Sequence, residues 1–308
     1  MTVYQQIASN KRRTVFLMVL FFVLVFAVGF FVGEYWGPGG YSGLFFAGIF
    51  SIVMGLVSFF GGDKLSLATA GAKELTNKDQ FPYVWRMVEN LTITAGLPMP
   101  KVYIIDDPAM NAFATGRDPE KASIALTTGL IGGLENEELE GVIAHELSHV
   151  KNYDTRLMMI VVVLVGVLTL LADWMFRATI FGGGRRGGRK GGGAQIELIF
   201  AIVGVALIIL SPIIAEVIKL AISRKREFLA DASAVLLTRY ADGLAGALKK
   251  ISGQDMQLRR ANHATAHLFI ANPFKSTKMF SKMFSTHPPV EERIAKLQQM
   301  GGNPEFNV

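Results

Sequence analysis

Two histidines four residues apart, with a glutamate directly after the first, occur at His145, Glu146 and His149 in the segment LEGVIAHELSHV. Residues four apart share one face of a helix, so both imidazoles can reach a single ion. Glu146 is turned by about 100° from His145 and stands beside that ion, where it can take a proton from a bound water. This is the donor pattern of a hydrolytic zinc site, which needs a third protein ligand and keeps its fourth position for water. The plain alternative is an exposed amphipathic helix with two unrelated histidines.

The third ligand decides between these readings. No glycine and third histidine follow His149 closely; the next residues are Val150, Lys151, Asn152, Tyr153, Asp154, Thr155 and Arg156. A glutamate on a separate helix is the other option, and SRKREFLAD (223–231) supplies Glu227, with Asp231 four residues on and on the same face. Glu227 is expected to bind the metal, and Asp231 to hydrogen-bond the far nitrogen of a ligand histidine. Taken alone, such a pair on a basic helix is an ordinary solvated face. Asp154 can orient a ligand or hold the loop that follows it.

Composition restricts what can carry these residues. Among 308 residues there is no cysteine, so a thiolate metal site and a disulfide framework are both excluded. Hydrophobic residues make up 51%, and the mean hydropathy of +0.36 is high for a chain meant for water. The net charge of +6 is modest and comes in patches, which suits a membrane surface. No basic stripe interleaved with aromatic residues is present, so nucleic acid is not an expected partner. No Gly-x-x-x-x-Gly-Lys loop is present either, so ATP is not expected.

Apolar runs at 15–32, 44–60, 157–172 and 198–215 organise the chain. Each is close to the ~20 residues a helix needs to cross ~30 Å of hydrocarbon. The first has a basic flank, Lys11, Arg12 and Arg13, but is too long for a cleaved signal peptide and a second run follows at once. That flank, and a following loop (34–40) without lysine or arginine, place the N-terminus in the cytoplasm. Expected boundaries are a transmembrane hairpin at 1–60, a first catalytic part at 61–156, a second hydrophobic hairpin at 157–222 and a second catalytic part at 223–308. The second hairpin contains the linker GGGRRGGRKGGG at 182–193, whose basic residues oppose an outside location. It either spans against that penalty or dips in part way; the length of the fourth run favours spanning. His149 and Glu227 flank the two ends of this hairpin, which places the metal within roughly 10–20 Å of the membrane surface.

These segments together resemble the HtpX-type membrane zinc metallopeptidases, relatives of the type I CAAX prenyl proteases. The likeness rests on PKVYIID (100–106), NAFATG (111–116), His145 to His149, EFLAD (227–231) and FSTHPPVEERI (284–294). It implies a mainly α membrane protein: four hydrophobic helices and a zincin-like (gluzincin) α+β catalytic domain with a small sheet. It also implies one zinc, an inner-membrane location with the catalytic domain on the cytoplasmic side, and proteolytic quality control of misfolded or damaged membrane proteins under stress. The segment 111–116, a turn and 123–128 read as a strand hairpin on their own. By the likeness, Asn111, Ala112, Phe113 and Ala114 form the edge that holds an extended substrate. His287, before Pro288 and Pro289, cannot sit inside a continuing helix. By analogy it helps stabilise the developing oxyanion; capping a loop is the equal alternative. His263 and His267 also lie four apart, but with no glutamate after His263 they read as a surface or core pair.

Three rivals are weighed. An intramembrane protease would bury the motif in an apolar helix, whereas Glu135, Glu137, Glu138 and Glu140 precede it here. A prenyl-protein processing enzyme would have more spans around a large chamber. A non-catalytic scaffold stabilised by zinc would have no need of Glu146, which binds no metal.

Overall fold

The computed structural model describes residues 3–36, 40–167, 224–260, 265–273 and 288–302. The fourth apolar run, the end of the third, the 182–193 linker, His263 and His287 lie outside these residues. Among the described residues the chain is mostly helical, with one small mixed sheet.

Helices α1 (Val3–Trp36) and α2 (Gly40–Ala70) lie side by side in opposite directions, Gly29 against Ala47, Gly48 against Phe26 and Gly55 against Phe22. Their outer faces are apolar and uncovered: Val15, Phe16, Val19 and Val23 on α1, and Phe45, Phe46, Ile52 and Leu56 on α2. A helix apolar all round belongs in a protein core or in lipid, and among the described residues nothing lies over these faces. Tyr41–Ala70 is long and apolar enough to cross a membrane by length and composition. It is the one such helix among the described residues, so four spans are not established.

α2 does not stop where its apolar run ends at residue 60. It continues to Ala70, where Leu67 and Ala70 pack with Ile105, Phe113 and Ala125 of the sheet. A helix that begins at 154 (α6, described to 167) lies against both: Leu157, Met159 and Ile160 join Leu17, Phe21 and Val25 of α1 and Ala47 of α2.

The sheet has strand order β1-β2-β4-β3, from β1 (Lys73–Glu74), β2 (Lys101–Ile105), β3 (Ala112–Thr115) and β4 (Ser123–Thr127). β1 is antiparallel to β2, β2 parallel to β4, and β3 antiparallel to β4. The expected hairpin is therefore present, and β3 is an edge strand. Around the sheet pack α3 (Pro82–Ala95), α4 (Thr128–Gly133), α5 (Asn136–Lys151), α7 (Arg224–Thr238), α8 (Ala241–Gly253) and α9 (Val290–Gly301). Their shared core includes Val84, Val88, Leu126, Leu139, Val142, Ala234, Leu244, Leu248 and Leu297.

α5 is the centre of this core. The Glu138 carboxylate accepts the Glu135 N–H at 2.8 Å, which caps the first turn, and Lys250 of α8 reaches the same carboxylate at 2.7 Å. Acidic residues in that turn complement the helix dipole. Two glycines let α5 and α8 meet backbone to backbone. A Cβ on Gly141 would stand 2.8 Å from the Leu244 nitrogen, and one on Gly243 would stand 2.4 Å from the Glu137 carbonyl oxygen. From Gly141 to Val150 every residue is buried, so the motif is set in protein rather than in an apolar membrane helix.

Candidate metal centre

α5 contributes His145 and His149, one turn apart, and α7 crosses it with Glu227 facing both rings. Small residues allow the crossing: Ala230 and Ala234 of α7 have no exposed surface, nor has Ala144 of α5. The Nε2 atoms of the two histidines stand 3.2 Å apart. Glu227 brings Oε1 to 3.6 Å from His149 Nε2 and Oε2 to 3.8 Å from His145 Nε2. Ligands on a tetrahedral zinc, at 2.0–2.1 Å for nitrogen, would be ~3.3 Å apart. The three side chains are buried and their donor atoms all lie within 4.8 Å of one another.

The outer nitrogens explain why the inner ones point at each other. His145 Nδ1 is 2.9 Å from Asp231 Oδ1, and His149 Nδ1 is 3.0 Å from Asp154 Oδ2. Each ring in its neutral form donates its N–H outward to a carboxylate and turns a lone pair inward. Two inward lone pairs and a carboxylate make a space that only a proton or a cation can occupy. The electrostatics agree. Burial opposes charge on His149, but the hydrogen bond to Asp154 and the carboxylates of Glu227 and Glu146 outweigh it and lift its pKa to about 9. The residues present fit a zinc ion of the two-histidine, one-glutamate type. Asp154 thus holds the His149 ring through one carboxylate oxygen.

Glu146 binds none of these groups. Burial pushes its carboxyl above the ordinary value, against the pull of His145 and His149, and Glu227 adds to the rise. The Ala114 N–H of β3 donates a hydrogen bond to it, so the carboxylate faces the sheet edge. A carboxylate with a raised pKa beside a metal site suits proton transfer near neutrality.

One residue of the site escaped the sequence reading. Arg293 of α9 has no exposed surface, and its guanidinium grips Asp231 with Nη2 at 2.6 Å and Nε at 2.9 Å. Its Nη1 lies 3.6 Å from Glu227 Oε2. Burial alone would raise the Asp231 carboxyl, but Arg293 and His145 hold it below its usual value. The available signal was an arginine inside the C-terminal segment that carried the family likeness; nothing in its local spacing assigns it.

The strand residues lie beside this group. The alternation along β3 turns the main-chain groups of Ala112 and Ala114 away from β4, and in this structure those of Ala112 already have partners. Ala112 N–H bonds the Asn111 side chain at 3.1 Å, and Ala112 C=O accepts from Ile270 N–H at 2.9 Å. The Asn111 amide also bonds the Ala271 carbonyl at 3.0 Å, so residues 265–273 run along the edge. The Phe113 ring points into the core against Phe269. His267 is buried as well, its Nε2 3.2 Å from the Met158 carbonyl oxygen, which is the core reading of that residue.

Comparisons with known proteins extend the same conclusion to the whole chain. A protease HtpX homolog of Listeria monocytogenes is 44% identical over 302 residues, covering 96% of this chain and 99% of its own. A second, from Dictyoglomus turgidum, is 43% identical over 300 residues, covering 97% and 95%. A third, from Tropheryma whipplei, is 44% identical over 97% of this chain and 98% of its own. The crystal structure of S. mikatae Ste24p shares the fold, with a TM-score of 0.50 at 17% identity, over 96% of this chain and 67% of that one. With the profile of peptidase family M48 matching residues 78–301, the chain belongs to that family and is a metalloprotease.

Proposed function

We propose that this membrane metallopeptidase is a zinc-dependent endopeptidase that cuts misfolded or damaged membrane proteins at the cytoplasmic face of the cell membrane. The observation that carries the reading is the convergence of His145, His149 and Glu227 on one space, with Glu146 beside it and tied to the edge strand. His145, His149 and Glu227 would hold a zinc ion, which would lower the pKa of a water, to near 7 in comparable sites, and polarise the scissile carbonyl. Glu146 takes the proton of that water and passes it to the leaving amine. Asp231 and Asp154 hold the ligand rings in one tautomer, and Arg293 holds Asp231. The main chain of Asn111, Ala112, Phe113 and Ala114 pairs with an extended substrate once residues 265–273 release the Ala112 carbonyl.

The test uses the full chain in detergent, stripped by a chelator and offered an unfolded protein. Cleavage should begin only when zinc is added. His149→Ala should bind no zinc and stay inactive. Undiminished cleavage after complete metal removal would overturn the reading; stoichiometric zinc with no cleavage of any unfolded protein would favour a zinc-stabilised scaffold.

The multi-pass topology is part of the proposal. With the second hairpin spanning, a cysteine placed at Gly188 in this cysteine-free chain should react with an impermeant thiol reagent in intact cells. Labelling only after lysis would show that the hairpin does not span.

A further inference from the structure

The proposed metal centre includes two elements given by the hydrolase motifs, α5 and α7. A third reaches it from the membrane. Asn10 lies on α1 just before the basic flank of the first apolar run, yet it is 1% exposed. Its side-chain NH2 donates to Asp154 Oδ1 at 2.7 Å and to the Asn152 carbonyl at 2.9 Å. Its carbonyl oxygen accepts from Arg226 Nη1 at 3.2 Å. Asp154 hands its other oxygen to His149. The path from α1 to a metal ligand is therefore two hydrogen bonds long.

The chemistry of the amide matters here. It must donate to a carboxylate on one side and accept from a guanidinium on the other. Among uncharged side chains only an amide offers two N–H donors, used here on Asp154 and the Asn152 carbonyl, together with an acceptor for Arg226. The turn that carries Asp154 also needs holding. Tyr153 has φ 59°, in the left-handed region that a non-glycine residue occupies at a cost. The neighbour of Asn10 holds that turn as well: Lys11 Nζ stands 4.6 Å from the centre of the Tyr153 ring.

We infer that Asn10 is a positioning residue for the metal: it fixes Asp154 and through it His149, so the N-terminal membrane helix is a structural component of the centre as well as an anchor. The inference rests on the zinc reading above. Partners of ligand histidines typically contribute about 10- to 100-fold in metal affinity.

The experiment measures zinc affinity and the rate of zinc loss to a coloured chelator, on full-length protein in detergent well below its melting temperature. The variants are Asn10→Ala, Asp154→Asn and the double variant. Ser51→Ala is the control, because Ser51 is a buried hydroxyl of α2 bonded only within its own helix, to the carbonyls of Ala47 and Gly48. Asn10→Ala should weaken zinc about 10- to 100-fold, add little on the Asp154→Asn background, and leave Ser51→Ala behaving as wild type. A purely structural Asn10 would lower the melting temperature without changing zinc affinity. That result, or losses that simply add in the double variant, would overturn the inference while wild-type zinc binding keeps the metal reading intact. Failure of the wild type to bind zinc would remove both.

Discussion

Glu146→Gln should retain one zinc per chain and lose peptide hydrolysis by about 10²- to 10⁴-fold, which is roughly 3–5 kcal/mol of barrier. The substitution keeps the size and shape of the side chain, and the amide oxygen can still accept the Ala114 N–H. What it removes is the capacity to take a proton. Zinc content should not fall, because Glu146 is outside the set of three donors that converge. Parallel measurement of bound zinc and of turnover on an unfolded protein separates the two roles. A variant that cuts within a few fold of wild type would show that the proton goes elsewhere; a variant that loses zinc would make Glu146 a ligand.

The second large effect is expected at Arg293. Its guanidinium is enclosed with two carboxylates, Asp231 in bidentate contact and Glu227 at 3.6 Å. Arg293→Ala leaves both acids buried without that cation. Breaking a buried ion pair from one side costs about 3–5 kcal/mol. For a body of this size the melting temperature should drop on the order of 10 °C. The drop should be larger in chelator than with zinc, since a divalent cation at the centre offsets part of the stranded charge. Equal melting temperatures for Arg293→Ala and wild type in chelator would mean that the pair does not hold the fold. Arg293→Lys should recover only part of the loss, because an ammonium cannot bond both Asp231 oxygens in one plane.

The residues that were legible in the sequence are those whose partners are close along the chain. His145, Glu146 and His149 declare themselves by helical period, and Glu227 with Asp231 does so by the same spacing. The strand hairpin is announced by its turn residues. Asp154 was ambiguous because its deciding partners, Asn10 and Arg226, lie 144 and 72 positions away. Arg293 gave no local signal, since a charged residue on a short amphipathic helix is normally at the surface. The edge of β3 was recognised as an edge, but its cover by residues 265–273 is a long-range contact with no period to betray it. The extension of α2 past its apolar run was hidden for a related reason: polar and glycine residues from Gly61 onward end the run, and nothing in the sequence shows what they pack against.

That extension has a mechanical consequence. α2 is 31 residues long, or ~46 Å at ~1.5 Å per residue, against ~30 Å of hydrocarbon. With α2 spanning as proposed, some ~15 Å of the same rod would stand clear of the lipid, where Leu67 and Ala70 pack against the sheet. An enzyme on a floppy leash would sweep a wide volume and cut at any height. One mounted on such a post would work at a single altitude, and the distance of a peptide bond from the bilayer would then become a criterion for cutting it.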